Sequence, residues 1–101
     1  MPGLEHWQVL LYTRTGCHLC ATAWDRLRQA QQRYRFVLAT VDVDADSDLA
    51  ARYGSSVPVV TVNGKVRFRG AVNPVLLARL LNAEAARRSE PEQTRGQGPP
   101  G

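Results

Sequence analysis

A short apolar run precedes a segment that carries both cysteines of the chain and has the residue pattern of a helix. Residues 7–12, W-Q-V-L-L-Y, are rich in β-formers and end at the turn-forming residues 13–16, which predicts a buried strand. From Cys17 onward, apolar residues recur at three- and four-residue spacing, which predicts an amphipathic helix. Cys17 and Cys20 are therefore expected in the first turn of a helix that follows a strand.

The next segment predicts a second strand that runs parallel to the first. Residues 36–44, F-V-L-A-T-V-D-V-D, are apolar and then alternate valine with aspartate, as a strand does when it leaves the core. Two strands joined by a helix favour a right-handed parallel crossover. After the second strand, Asp46 or Ser47 can cap a short helix that stops at Gly54, because glycine is common just past helix ends.

The second half of the chain predicts an antiparallel hairpin. Residues 57–62 and 65–69 flank Asn63-Gly64, a pair that can take the positive φ values of a type I′ turn. The hairpin adds its strands to the sheet formed by the first half. The predicted fold is therefore α/β, with the element order βαβαββα and a four-stranded mixed sheet flanked by helices.

A last helix completes the predicted domain. Asn73 can cap this helix and Pro74 can occupy its first position. The residues expected to face the core are Leu76, Leu77, Leu80 and Leu81. A chain of 101 residues is long enough for one core, so we expect one domain over residues 1–86. Residues 87–101 are poor in apolar side chains and predict a flexible tail.

The charge and hydropathy patterns disfavour nucleic-acid and membrane binding. The net charge is +4, but the arginines are scattered along the chain, whereas nucleic-acid binders concentrate them in a patch or stripe. The longest apolar stretch is far shorter than the roughly 20 residues that a membrane helix needs, and no signal peptide is apparent. We therefore expect a cytoplasmic, monomeric protein that binds neither nucleic acid nor membranes.

The segment C-H-L-C has the position and spacing of a redox-active dithiol. Side chains three residues apart on a helical turn face the same way, so Cys17 and Cys20 can form a small disulfide ring. The free N–H groups and the dipole of a helix start favour an anion, and such sites lower a thiol pKa from about 8.5 to about 7 or below. Cys20 lies one turn deeper. We therefore predict that Cys17 is the nucleophile and Cys20 the resolving thiol.

Further residues complete the predicted site. Arg14 brings a permanent cation to the loop before Cys17, and His18 adds positive charge when it is protonated, so both are candidates for tuning the thiol pKa. Val57-Pro58 opens a predicted strand, a position that tolerates proline. A cis bond there would leave the backbone of Val57 open to a partner, which makes both residues candidates for substrate binding.

Taken together, these motifs resemble the thioredoxin superfamily, and its glutaredoxin-like branch most closely. The resemblance covers about residues 7–86. The loop R-T-G-C-H-L-C at 14–20 is similar to the family's basic-x-x-Cys-Pro-Tyr-Cys loop, S-V-P at 56–58 to its Thr-Val-Pro, and N-G-K at 63–65 to its hairpin turn. The resemblance implies that Pro58 is cis and lies beside the first cysteine.

The chain departs from the family's pattern in two segments. His18-Leu19 stands where the family has Pro-Tyr. Residues 69–73, R-G-A-V-N, stand where the family has paired glycines and an acidic residue that helps hold the amino end of glutathione. Glutathione therefore becomes a weaker candidate for the reductant, beside a thioredoxin reductase. We expect no bound cofactor.

The predicted function is that of a thiol–disulfide oxidoreductase acting on a disulfide-containing protein or a small-molecule thiol. Two alternatives stay open. In the first, two chains share zinc, held by their cysteines with His18 as a further candidate ligand, or share an iron–sulfur cluster through their cysteines. One chain offers too few ligands for either site. In the second, the chain is a non-catalytic interaction module that retains the fold.

Overall fold

The computed structural model describes residues 4–89 and shows a mixed four-stranded sheet with helices on both faces. In chain order the elements are β1 (Gln8–Thr13), α1 (His18–Tyr34), β2 (Val37–Asp42), a 3₁₀ turn (Val43–Ala45), α2 (Ser47–Tyr53), β3 (Val59–Val62), β4 (Lys65–Arg69) and α3 (Pro74–Ser89). This order confirms the predicted βαβαββα arrangement. The strands lie in the order β2-β1-β3-β4, with β1 and β2 parallel and β3 antiparallel to both of its neighbours.

Two apolar clusters attach the helices to opposite faces of the sheet. The larger cluster joins α1 and α3 to one face through Ala23, Leu27, Leu77, Leu81 and Ala85. The smaller cluster, around Val43 and Tyr53, joins α2 to the other face. The alternation of β3 agrees with this division, because Val60 belongs to the larger cluster and Val59 to the smaller. The sheet is thus covered on both sides.

The local signals for caps and turns are confirmed. The Asp46 side chain accepts backbone N–H bonds from the first turn of α2, and Asn73 does the same for α3, which begins at Pro74. Asn63 and Gly64 have φ values of 52° and 86°, as a type I′ turn requires.

Two strand ends differ from the prediction. β2 stops at Asp42 instead of continuing to 44, because the Asp42 carboxylate accepts the N–H of Asp44 at 2.9 Å and starts the 3₁₀ turn. β3 begins at Val59, so Val57-Pro58 precedes this strand instead of opening it. Both shifts place polar or candidate site residues, Asp44 and Val57-Pro58, outside the strands at the same end of the sheet.

α3 buries fewer leucines than predicted. Leu77 and Leu81 are four residues apart, lie on one line of the helix and are both buried. Leu80 packs partly buried against the same core. Leu76 is 50% exposed, since each helical residue is turned by about 100° from the one before it. The prediction that Leu76 faces the core is therefore wrong.

The far end of α3 extends past the predicted domain boundary at 86, because the helix continues to Ser89. The rest of the predicted tail, residues 90–101, lies outside the described residues. Within residues 4–89, none of the helices combines the length and the apolar character that a membrane span requires.

Candidate redox site

The dithiol lies where the loop after β1 enters α1. In this loop the N–H of Cys17 donates to the carbonyl of Arg14 at 3.3 Å, which closes a turn. Gly16 has a φ of 81°, a conformation that glycine adopts without steric cost. Cys17 itself is extended, with φ −90° and ψ 107°, and is the N-cap of α1. The sequence therefore places Cys17 at the helix start through the turn that Gly16 permits.

Cys17 and Cys20 are joined by a disulfide bond. Their Cα atoms lie 5.2 Å apart, within the range usual for disulfides. The Sγ atom of Cys17 also accepts the backbone N–H of Cys20 at 3.1 Å, which satisfies one of the N–H groups left free at a helix start. No acidic residue lies in the first turn of α1. The environment of the Cys17 sulfur therefore favours negative charge.

The two sulfur-bearing residues differ in exposure. Cys17 is half-buried, whereas Cys20 is only 5% exposed. The residues between them, His18 and Leu19, are both exposed. An incoming molecule therefore reaches Cys17 more readily than Cys20.

The guanidinium of Arg14 is bonded to Asp44 and Gly54. Nη2 and Nε donate to the Asp44 carboxylate at 2.7 and 3.2 Å, and Nη1 donates to the carbonyl of Gly54 at 2.9 Å. The hydrogen bond and the charge of Arg14 hold the pKa of Asp44 below its usual value, and the same contact raises the pKa of Arg14. Asp44 thus offsets the charge that Arg14 brings to the loop before Cys17, and the predicted effect of Arg14 on the thiol stays a prediction.

Gly54 leaves space for the Arg14 side chain in its contacts with Asp44 and with the Gly54 carbonyl. α2 ends at Tyr53, as predicted, but Gly54 has a φ of −53° and is not left-handed. A Cβ at this position would lie 2.5 Å from the carbonyl oxygen of Ala50 and 3.3 Å from Nη2 of Arg14. Close approach, and not a positive φ, therefore explains the glycine.

Sequence reasoning missed Asp44 as a neighbour of the site. A signal was present, because Asp44 closely follows β2 and Arg14 directly follows β1. The carboxyl ends of two adjacent parallel strands lie at the same edge of a sheet. Opposite charges at those positions therefore predict an ion pair.

The Val57-Pro58 peptide bond is cis, as the family resemblance implies. Val59, the next residue, pairs with Tyr12 of β1. Pro58 therefore lies at the end of the sheet where β1 leads into the dithiol loop. Pro58 is buried and Val57 is half-buried. Their predicted contact with a substrate stays a prediction.

An open cleft of about 580 Å³ lies beside the dithiol. Predicted site residues that line it are Arg14, Cys17, His18 and Cys20. Val57 and Pro58 do not line this cleft. The cleft is also lined by residues of α1 and of the neighbouring strands that sequence reasoning did not assign to the site. They include Leu11, Thr13, Ala21, Trp24 and Thr40. These residues come together only through the packing of α1 on the sheet.

A metal site within one chain has no support from the described part of the molecule. Residues 4–89 contain no group of three or more His, Cys, Asp or Glu placed to hold a metal ion. A site shared between two chains, the alternative stated above, would need further ligands from the second chain.

Comparison with known proteins identifies the family. The family model described as Glutaredoxin-like domain (DUF836) matches residues 8–82. The chain belongs to this glutaredoxin-like family. An uncharacterized protein of Mycobacterium tuberculosis is 33% identical to the glutaredoxin-like chain over 63 residues, which are 57% of this chain and 65% of that relative. The chain thus spans just under two thirds of the relative's length.

Solved structures agree on the fold. The X-ray structure of a structural genomics target protein from X. campestris is 32% identical, has a TM-score of 0.62, and is covered over 96% of its length by 74% of this chain. A mutant thioredoxin from Halobacterium salinarum has a TM-score of 0.62 at 19% identity, with 80% of this chain and 76% of the thioredoxin covered. The glutaredoxin-like chain therefore has the thioredoxin fold.

Proposed function

We propose that this glutaredoxin-like protein is a thiol–disulfide oxidoreductase in which Cys17 is the nucleophile and Cys20 the resolving thiol. The observation that carries the proposal is the unequal placement of the cysteines, since Cys17 is the half-buried N-cap of α1 and Cys20 is 5% exposed. In the reduced protein, the N–H of Cys20 would donate to the Cys17 thiolate and stabilise it. A thiolate at the accessible position is what the first step of disulfide exchange needs.

The proposed reaction reduces a substrate disulfide, R–S–S–R′. The Cys17 thiolate forms a bond to one substrate sulfur, the substrate S–S bond breaks, and R′S⁻ leaves and takes a proton from water. The Cys20 thiol then loses its proton and attacks Sγ of Cys17, so that RS⁻ leaves and is protonated. The electron pair of the protein dithiol thus passes to the substrate, and the products are free thiols and the Cys17–Cys20 disulfide.

A donor must then return the protein disulfide to the dithiol. The candidates are glutathione and a thioredoxin reductase, and the substrate is a protein disulfide or a small-molecule disulfide. A cytoplasmic location suits this direction, because cytosolic systems keep thiols reduced. The segment R-G-A-V-N at 69–73 has no acidic residue to hold the amino end of glutathione, which supports the reductase as donor.

The test measures reduction of a disulfide substrate with each donor system, followed through NADPH consumption. It compares the wild-type protein, Cys17→Ser and Cys20→Ser. We expect turnover by the wild type with at least one donor and a loss of more than a hundredfold in Cys17→Ser. Thr22→Ser, an exposed change in the same helix, is the matched control and should keep full activity. Full activity in both cysteine variants would contradict the proposal. Inactivity of the wild type with both donors would favour an interaction module, and bound metal in the purified protein would favour a shared metal site.

A further inference from the structure

The cleft beside the dithiol offers mainly uncharged surface. Trp24 of α1, Leu11 and Thr13 of β1, and Thr40 of β2 line it together with the cysteines. Trp24 packs against the larger apolar cluster, and the Arg28 guanidinium lies 5.9 Å from its ring centroid. The volume of about 580 Å³ is within the roughly 300–1,000 Å³ of sites that hold small ligands or single large side chains.

The side chains that line the cleft offer a ligand little charge that is not already offset. Arg14 and His18 are the basic residues that line the cleft. The guanidinium of Arg14 already donates to Asp44 and to the Gly54 carbonyl, so its charge is offset. Glutathione carries carboxylates at both ends and a net negative charge at neutral pH. Burial of its two carboxylates in the cleft would carry a desolvation cost that burial of an apolar side chain does not carry.

The position of the cleft favours binding of the substrate residue next to the reacting cysteine of the substrate. Cys17 lines the cleft, so a substrate sulfur bonded to Cys17 places its neighbours at the cleft mouth. β2 is an edge strand and its Thr40 is exposed, so the cleft is open on that side to an extended peptide. Leu19, which is 54% exposed in the first turn of α1, adds apolar surface next to the dithiol.

We propose that this cleft binds an uncharged, apolar side chain adjacent to the reacting cysteine of a protein substrate. The protein therefore prefers protein disulfides with apolar neighbours over glutathione disulfides. This inference rests on the proposed thiol–disulfide exchange, since the cleft acts on a substrate held at Cys17.

The test uses disulfides of thionitrobenzoate with acetyl-Cys-Leu-amide, acetyl-Cys-Gly-amide, acetyl-Cys-Asp-amide and glutathione. Each reacts with the reduced protein in a single turnover, in which the protein dithiol becomes a disulfide and releases the peptide thiol and coloured thionitrobenzoate. We expect the leucine peptide to react about tenfold faster than the glycine peptide, from burial of the leucine side chain. The aspartate peptide and glutathione should react more slowly than the glycine peptide.

Two variants on β2 test whether the substrate preference depends on the cleft or on another part of the surface. Thr40 and Ala39 are neighbours, are both exposed, and project to opposite faces of the sheet. Thr40→Trp should fill the cleft and bring the leucine-to-glycine rate ratio close to one. Ala39→Trp should leave that ratio as in the wild type, and circular dichroism spectra should show that both variants are folded.

Binding of a ligand that cannot take part in disulfide exchange gives an independent test of the cleft. Titration of the oxidised wild-type protein with acetyl-leucine amide should shift the Trp24 indole N–H resonance, and glutathione should not. Equal rates for the leucine and glycine peptides, or glutathione as the fastest substrate, would overturn the inference while leaving disulfide exchange intact. Failure of every probe to react would overturn the proposed function. In that case the titration alone would test whether the cleft binds an apolar side chain, and an unshifted Trp24 resonance would overturn the inference.

Discussion

The Sγ atom of Cys17 lies 3.1 Å from the backbone nitrogen of Cys20 and accepts its N–H. This relationship exists because Cys17 is the N-cap of α1, where an N-cap side chain meets the free N–H groups of the first turn. The cysteine that receives the hydrogen bond is also the more accessible of the pair. Accessibility and stabilisation of negative charge therefore coincide at Cys17.

The first prediction concerns alkylation of the reduced protein. At pH 7, iodoacetamide should modify Cys17 at least tenfold faster than Cys20, because the thiolate is the reacting form and Cys20 is buried. Mass spectrometry of the alkylated peptides over a pH series should give a midpoint for Cys17 below the ordinary thiol value of about 8.5. The same protein unfolded in guanidinium chloride is the control, in which both cysteines should titrate near that value. Equal rates in the folded protein would contradict the prediction.

The second prediction concerns the pH dependence of stability. Since Arg14 lowers the pKa of Asp44 in the folded protein, the pair contributes stability above the unfolded carboxyl pKa of about 3.9, and this contribution is lost as the pH falls through the folded pKa. Arg14→Gln should therefore lower Tm by a few degrees at most at pH 7, because the pair is partly exposed. The difference from the wild type should shrink below about pH 4.

Thermal melts of Asp44→Asn should show the same pH trend, and 1 M salt should reduce it by about half or more. The exposed Arg67 of β4 provides the matched control, and Arg67→Gln should show no such trend. A Tm difference in Arg14→Gln that grows as the pH falls would show that the ion pair is not its cause.

The third prediction concerns Gly54. Gly54→Ala should destabilise the protein by about 2 kcal/mol in urea unfolding, because the new Cβ would lie 2.5 Å from a backbone oxygen, which cannot move without disturbing α2. Gly64→Ala is the comparison, since Gly64 has a φ of 86° and open space around its Cβ position. That variant should cost about 1 kcal/mol from backbone conformation alone. A smaller loss at Gly54 than at Gly64 would refute the steric explanation.

The fourth prediction separates two adjacent leucines of α3. Leu77→Ala should cost about 2 to 4 kcal/mol, because Leu77 is 6% exposed and its truncation leaves a cavity. Leu76→Ala should cost less than about 0.5 kcal/mol, because Leu76 is 50% exposed. Urea unfolding of both variants measures the difference. Similar losses would mean that α3 is rotated relative to the arrangement described above.

Much of the fold follows from local sequence signals. The strand before Cys17, the Asn63-Gly64 turn and the Asn73 cap each depend on contacts within a few residues, so composition and spacing were enough to predict them. The errors at Asp42 and Leu76 have the same origin. An alternating or apolar pattern does not tell which residue ends a strand or which side of a helix meets the sheet.

The site was less predictable, because its residues come from separate elements. The Cys17–Cys20 pairing is local, so residue spacing is enough to predict it. The Asp44 partner of Arg14 depends on how the ends of β1 and β2 lie side by side, and the cleft depends on the distance between α1 and Thr40. The cis state of Val57-Pro58 was expected from a family resemblance, since no local chemistry distinguishes it from trans.

The roles of the two cysteines are tested by mass spectrometry of the adducts formed when reduced Cys20→Ser and Cys17→Ser each react with a peptide disulfide. We expect a stable mixed disulfide at Cys17 in Cys20→Ser, because no resolving thiol remains to release the peptide. We expect little or no adduct at Cys20 in Cys17→Ser, because Cys20 is buried. A dominant adduct at Cys20, with Cys17 unmodified in the other variant, would show that the two roles are assigned to the wrong cysteines.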